Sequence, residues 1–203
     1  MKRVCLLMAL VCMMMVSCKP DGSDGKDEGH EYVDLGLSVK WATCNVGATS
    51  PEDYGHYFAW GETSPKDEYN SSNCSTYRKE MSDIAGNAQY DAATANWGGD
   101  WRMPTKAERE ELLNNCTWTW TTQNGVNGYN VKGPSGNSIF LPAAGGRRGS
   151  SLNGAGSSGG YWSSTPYDDD DDDFAYDFGF NSSVHGMNTS YRSYGRSVRP
   201  VVE

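Results

Sequence analysis

The chain has 203 residues, of which 17 are Lys or Arg and 26 are Asp or Glu, for a formal net charge of −9; Gly (24), Tyr (12) and Trp (7) are abundant. Leaving out Lys2 and Arg3 of the leader, the balance is 15 − 26 = −11. A chain this acidic, with no basic stripe, argues against nucleic acid and anionic lipid as partners, and the scarcity of long helical periodicity argues against a helical bundle.

Residues 1–18 read as a secretory signal. Lys2 and Arg3 precede an apolar run, 4–16, that is too short to span a membrane as a helix. Met15-Val16-Ser17-Cys18 resembles the lipobox of bacterial lipoproteins, which implies lipidation at Cys18. Residues 19–30 are polar and Gly-rich and read as a flexible tether. An acidic tether behind a lipidated Cys is similar to the surface-export signals of some Gram-negative lipoproteins. The expected location is therefore the outer membrane or cell surface, with the membrane met through the lipid anchor. Residues 31–203 are expected to form one domain. The mature chain keeps Cys44, Cys74 and Cys116, and an oxidising compartment permits one disulfide. Cys44 with Cys116 is the expected pair, because both sit in patterned segments whereas Cys74 lies in a Ser/Asn-rich stretch.

In chain order, 32–43 alternates apolar and polar residues and predicts two strand segments around Gly36. The aromatic run 54–62 predicts a core strand. A short helix is expected over 91–97, stopped by Gly98-Gly99. Thr105 with Glu108 three residues on forms a capping box, followed by a helix over 105–115 with Ala107, Leu112, Leu113 and Cys116 near one face. Strands are expected at 129–131 and 138–142, joined through 133–137, with closing strands at 161–164 and 197–201. Trp118 and Trp120 alternate with Thr and suit one side of a strand. Trp41, Trp60, Trp97, Trp101 and Trp162 lie inside patterned phrases and are expected in the core.

The tract 166–196 is compositionally foreign to the rest. From Pro166 to Val202 there is no Lys, Glu, Gln, Leu, Ile, Cys or Trp, whereas 31–165 holds five Lys, eight Glu and two Gln. Tyr with Ser, Asn and Gly is the composition of adaptable binding surfaces. The candidate ligand-binding residues are Tyr167, Asp168, Asp169, Asp170, Asp171, Asp172, Asp173, Phe174, Tyr176, Asp177, His185, Asn188, Ser190, Tyr191 and Tyr194. The aspartate run favours a basic or polyhydroxylated ligand over an anionic one. A solvated acidic loop is the plainer account of the run. Ca²⁺ is its chemical alternative, although adjacent Asp lack the spaced ligand pattern of a dedicated Ca²⁺ loop. No other cofactor is expected. His30, His56 and His185 have no partner at triad or metal spacing, so no catalytic residues are assigned and the chain is read as a non-enzyme.

Several phrases carry a family resemblance. Residues 97–105, Trp-Gly-Gly-Asp-Trp-Arg-Met-Pro-Thr, followed by Glu108, resemble a segment shared by formylglycine-generating-enzyme-like and C-type-lectin-like domains. Residues 137–145, 160–164 and 197–201 are similar to later landmarks of the Fibrobacter major paralogous domain, common in Bacteroidetes surface lipoproteins. The resemblance implies an α+β, C-type-lectin-like fold with small antiparallel sheets, two short helices and extensive ordered loops. It also implies a surface-anchored ligand-binding or adhesion lipoprotein with an unknown protein or glycan ligand. The alternatives are a structural lipoprotein with no dedicated ligand and a sulfatase-modifying-type enzyme. The latter is disfavoured because formylglycine-generating enzymes need a late Cys pair and no Cys follows Cys116. The tract further resembles the variable region of diversity-generating-retroelement proteins. Codons derived from AAC or AAT by changes at the first two bases cannot encode Lys, Glu, Gln, Trp or Met, and apart from Met187 the tract obeys that restriction.

Overall fold

The computed structural model describes residues 25–168 and 172–203. Twelve strands, all paired antiparallel, form four small sheets around two α-helices among the described residues, an α+β arrangement with long ordered connections. The first sheet runs β1 (Gly25–Asp27), β2 (His30–Val33), β3 (Lys40–Ala42) and β12 (Val201–Val202). Val201 pairs with Trp41, so the two ends of the domain close on each other. The turn between β2 and β3 holds Gly36 at φ +76°, where a left-handed backbone favours glycine.

α1 (Ala92–Trp97) starts on an Asp91 cap and ends at Gly98 (φ +72°). α2 (Lys106–Asn115) carries the full capping box: the Thr105 side chain accepts from the Glu108 N–H, and Glu108 accepts from the Thr105 N–H at 2.8 Å. Glu108 is also gripped by both terminal nitrogens of Arg102 at 2.7 and 2.9 Å. Burial works against its charge, yet Arg102 and Thr105 together hold the carboxyl below the ordinary carboxylate range. The inward face of α2 differs from expectation, since its fully buried members are Leu112 and Arg109. The Arg109 guanidinium lies over the rings of Trp41 and Tyr161, 5.1 and 5.7 Å from their centroids.

β4 (Thr117–Gln123), β5 (Val126–Lys132) and β6 (Ser138–Pro142) form a meander. Its first turn has Asn124 and Gly125 at φ +49° and +84°, the backbone of a type I′ hairpin. β7 (Gly146–Arg148) and β8 (Ser151–Asn153) make a short ribbon, and β9 (Ser158–Pro166), β10 (Phe174–Asn181) and β11 (His185–Tyr191) make the last sheet. β9 divides the interior. Tyr161 packs with Trp41, Tyr129, Leu141 and Phe178 on one side, and its neighbour Trp162 packs with Phe58, Trp60, Met103 and Val198 on the other. That split is the period-2 alternation of a strand buried on both faces. Trp41, Trp60, Trp101 and Trp162 are fully buried as expected; Trp97 is half-buried, stacked on His30 at 3.8 Å.

Four expectations are corrected. Residues 25–30 of the expected tether join the first sheet, anchored where the Trp101 indole N–H donates to the Asp27 carbonyl (3.0 Å); residues 19–24 and the leader lie outside the described residues. The aromatic run 54–62 is buried over 57–61 but is not a sheet strand. It makes one two-way bridge, Phe58 with Arg196, before Gly61 (φ +73°) turns the chain. The closing strand over 197–201 shortens to Val201–Val202: Ser197 instead bridges Tyr161 in parallel, and Pro200 has no N–H to give to a ladder. Cys44, Cys74 and Cys116 are all free thiols, so the Cys44–Cys116 disulfide is absent. Cys116 ends α2 against the Tyr129–Phe178 core, where burial and then Glu111 push its thiol up to about 11. Cys44 instead meets the hydroxyl of Thr43 at 3.6 Å.

Candidate functional site

Three chain segments converge beside the last sheet. Tyr69 and Gly149 exchange backbone hydrogen bonds at 2.8 and 2.9 Å, and Arg147 and Gly195 do the same. The β7–β8 ribbon is thereby clamped between the 69–77 loop and the 191–195 turn that follows β11. The loop holds its shape through Asn70, whose side chain accepts from the Ser72 and Asn73 N–H groups and caps a short 3₁₀ turn. Tyr69 is buried and donates to the Tyr57 carbonyl at 2.6 Å. Between these segments lies a groove of about 700 Å³, lined among others by Tyr69, Tyr77, Arg148, Asn153, Tyr191 and Tyr194. A second depression of about 370 Å³ adjoins it and shares Arg148, Asn153 and Tyr194.

The groove's aromatic wall is ordered by ring packing. Phe174 and Tyr191 lie 4.3 Å apart, Tyr191 and Tyr194 lie 5.4 Å apart, and the Arg148 guanidinium sits 5.4 Å from the Tyr194 ring centre. Tyr191 is 39% exposed, a large fraction for a large aromatic side chain. Tyr77 donates to Asp173 at 2.8 Å, and Arg78 pairs with the same carboxylate at 3.1 Å. Through these bonds the described end of the aspartate run helps place a groove residue.

The expected site residues separate into three groups. Tyr191 and Tyr194 line the groove, with Phe174 and Asp173 directly behind them. Tyr167, Asp168 and Tyr176 form a second patch. Tyr167 meets Tyr176 edge-on at 5.4 Å, Asp168 hydrogen-bonds Tyr176, and the Lys106 ammonium covers the Tyr176 ring at 3.9 Å. Asp172 faces Arg192 at 3.6 Å. His185 is exposed at the far end of the hairpin, where it stacks on Trp118 at 4.9 Å, and Asn188 is exposed midway along it, opposite Asp177. Asp177 and Ser190 are corrected: both are buried and unavailable to a ligand. The Asp177 carboxylate lies 3.3 Å from Arg196 and accepts from the Ser190 hydroxyl at 3.1 Å, while Arg196 donates to that hydroxyl at 2.8 Å. Burial raises the Asp177 carboxyl above its ordinary range, with Arg196 and Ser190 opposing. Asp169, Asp170 and Asp171 lie outside the described residues. Among the described residues no group of three or more His, Cys, Asp or Glu is placed to hold a metal ion.

Sequence reasoning missed Tyr69, Asn70, Tyr77, Arg147 and Arg148. One signal was present: two adjacent arginines in the Gly-rich stretch 145–149 of an acidic chain. Nothing in the sequence brings the 69–77 loop to that ribbon.

Three buried arginines brace the surroundings. Arg192 donates to the carbonyls of Phe174, Thr76 and Lys79 and lies 4.6 Å from the Trp60 ring centre. Arg199 donates to the carbonyls of Ala42, Thr43 and Phe140 and to the Asn45 side chain. Arg109 reaches the Trp162 carbonyl at 3.1 Å. Irregular segments leave carbonyls without ladder partners, and a five-donor fork satisfies several at once.

Residues 105–201 match a family described as a domain of unknown function (DUF8237). The match begins at the cap of α2 and takes in the β7–β8 ribbon and the β10–β11 hairpin, but not the 69–77 loop. No curated protein and no solved structure matches the chain.

Proposed function

We propose that the chain is a surface-anchored binding lipoprotein whose C-type-lectin-like scaffold displays a ligand-binding face at the end of the 166–196 tract. The observation that carries this reading is the groove itself. A tyrosine pair, exposed Tyr191 and half-buried Tyr194, faces a concavity closed on its other sides by a capped loop and a glycine-turned ribbon. Aromatic side chains with short hydroxyl and amide neighbours give contact area at low entropic cost together with adaptable hydrogen bonding. Supporting the scaffold assignment are the small antiparallel sheets, the two helices and the pairing of the last strand with β3 in the first sheet. The mechanism is reversible, non-covalent recognition.

The test is a glycan and protein array probed with wild type and with a Tyr191→Ser/Tyr194→Ser double variant. A ligand retained by wild type and lost by the variant supports the reading; identical profiles sink it. These two tyrosines serve better than the aspartate run, because Asp173 positions Tyr77 and Arg78 and its loss would disturb the loop. The proposal that a retroelement diversifies the tract has its own check in DNA. Gene copies should vary at the exposed positions 185, 188, 189 and 191 and keep Asp177 and Ser190, which are buried. Equal variation at buried and exposed codons would reject it.

A further inference from the structure

We propose that the groove takes an acidic saccharide, a sugar carrying a carboxylate or sulfate, with Arg147 and Arg148 receiving the anion and Tyr191 and Tyr194 receiving the ring; this rests on the binding-face reading above. The first observation is local charge. The two adjoining depressions are lined by Arg147, Arg148 and Arg196 and by no Asp or Glu, on a chain with a formal charge of −9.

The second is which of these cations is available. Arg196 is engaged by Asp177 at 3.3 Å. Arg147 and Arg148 have no ion-pair partner among the described residues. Their guanidinium groups are held near aromatic rings instead, 5.3 Å from the Tyr57 centre and 5.4 Å from the Tyr194 centre. A guanidinium so placed keeps its fork free for a planar two-oxygen anion. The described carboxylates of the aspartate run are already answered, Asp168 by Tyr176, Asp172 by Arg192 and Asp173 by Tyr77 and Arg78. The ligand is therefore of opposite sign to the one the run suggested, because the run's described charges are engaged elsewhere while the depressions are lined by cations. Since opposite charges beyond roughly 8 Å are largely screened at physiological salt, nearby arginines outweigh the distant net charge.

The third is the character of the walls. No Val, Leu, Ile, Met or Phe lines either depression; the lining is Tyr, Ser, Asn, Gly and Arg. An acidic peptide would gain little here for its apolar side chains. A pyranose ring instead sets its C–H face on tyrosine and its hydroxyls on Ser and Asn.

The experiment measures binding of the full chain to polygalacturonate and its methyl-esterified form, and to dextran sulfate and dextran. The carboxylate and sulfate arms thus separate the two sources of anion. The expected result is that at least one acidic polymer binds, that its neutral counterpart binds far less, and that binding falls with salt. Arg148→Gln is expected to weaken binding roughly tenfold, as loss of one charged hydrogen-bond donor does, while Lys132→Gln, at the exposed end of β5, leaves it unchanged. Arg148 is exposed, so an unchanged unfolding midpoint accompanies the loss. Equal binding of neutral and acidic forms, or an Arg147→Gln/Arg148→Gln variant that binds as wild type, overturns the inference. In that case a Tyr191→Ser/Tyr194→Ser variant that still loses its array ligand leaves the binding-face reading standing. Absence of binding to all four polymers also overturns the inference.

Discussion

Asp91 shows how much one residue can organise. One carboxylate oxygen accepts from the Ala93 and Thr94 N–H groups at 2.8 and 3.2 Å, and the other accepts from Gly86 and Met103 at 2.9 and 2.8 Å. It starts α1 and also ties the 84–91 turn to the segment leading into α2. Asp91→Ala strands several buried donors at once, and each such donor costs about 1–3 kcal/mol. The expected loss is at least roughly 3 kcal/mol in denaturant unfolding, several times that of an ordinary cap. Glu108 adds a pH dependence. Its folded-state carboxyl lies below its ordinary value of 4.5, so its contribution is present above that value and is lost as pH falls through the folded one. Unfolding free energy should therefore drop on acidification below about pH 4.5, and Glu108→Gln should flatten that drop. An unaltered pH profile in the variant would remove the carboxylate from the account.

The elements were legible where a local signal sufficed. The capping box at Thr105, the short helix from Asp91 and the strand expected at 161–164 each depend on neighbours in sequence, and each appears in the structure. The aromatic run 54–62 was misread because period and hydrophobicity report burial, not which partner supplies hydrogen bonds. The Phe58 and Trp60 N–H groups donate to Arg196 and Arg192, more than 130 residues away. The groove was half legible for the same reason: Tyr191 and Tyr194 announced themselves by composition, whereas Tyr69, Tyr77 and Arg148 arrive by long-range bridges. Two glycines on the ribbon give an element-scale test. At Gly145 (φ +68°) an added Cβ would meet the backbone oxygen of Asn153, whereas at Gly149 (φ +57°) it would meet nothing. Gly149→Ala should cost about 1 kcal/mol of backbone strain, and Gly145→Ala clearly more, by thermal unfolding of the two variants side by side. Equal costs would mean that the ribbon yields as a unit.

At the scale of the whole molecule, the two largest of the four core clusters among the described residues share β9 as a partition, and the last strand closes onto β3 of the first sheet. Arg199 reaches the segment after β3, Asn45 and β6 together. Arg199→Met is therefore expected to speed amide exchange in several distant segments at once, and Arg199→Lys should not restore protection, because an ammonium cannot span the same acceptors. Confinement of the change to residues beside position 199 would contradict this. A further consequence follows from what these arginines hold. The carbonyl of Phe174, Thr76 or Lys79 is there whatever side chain that residue carries. A brace that grips the main chain is indifferent to spelling. So long as Arg192 is kept, replacing outward side chains between β9 and β12 leaves these main-chain grips in place.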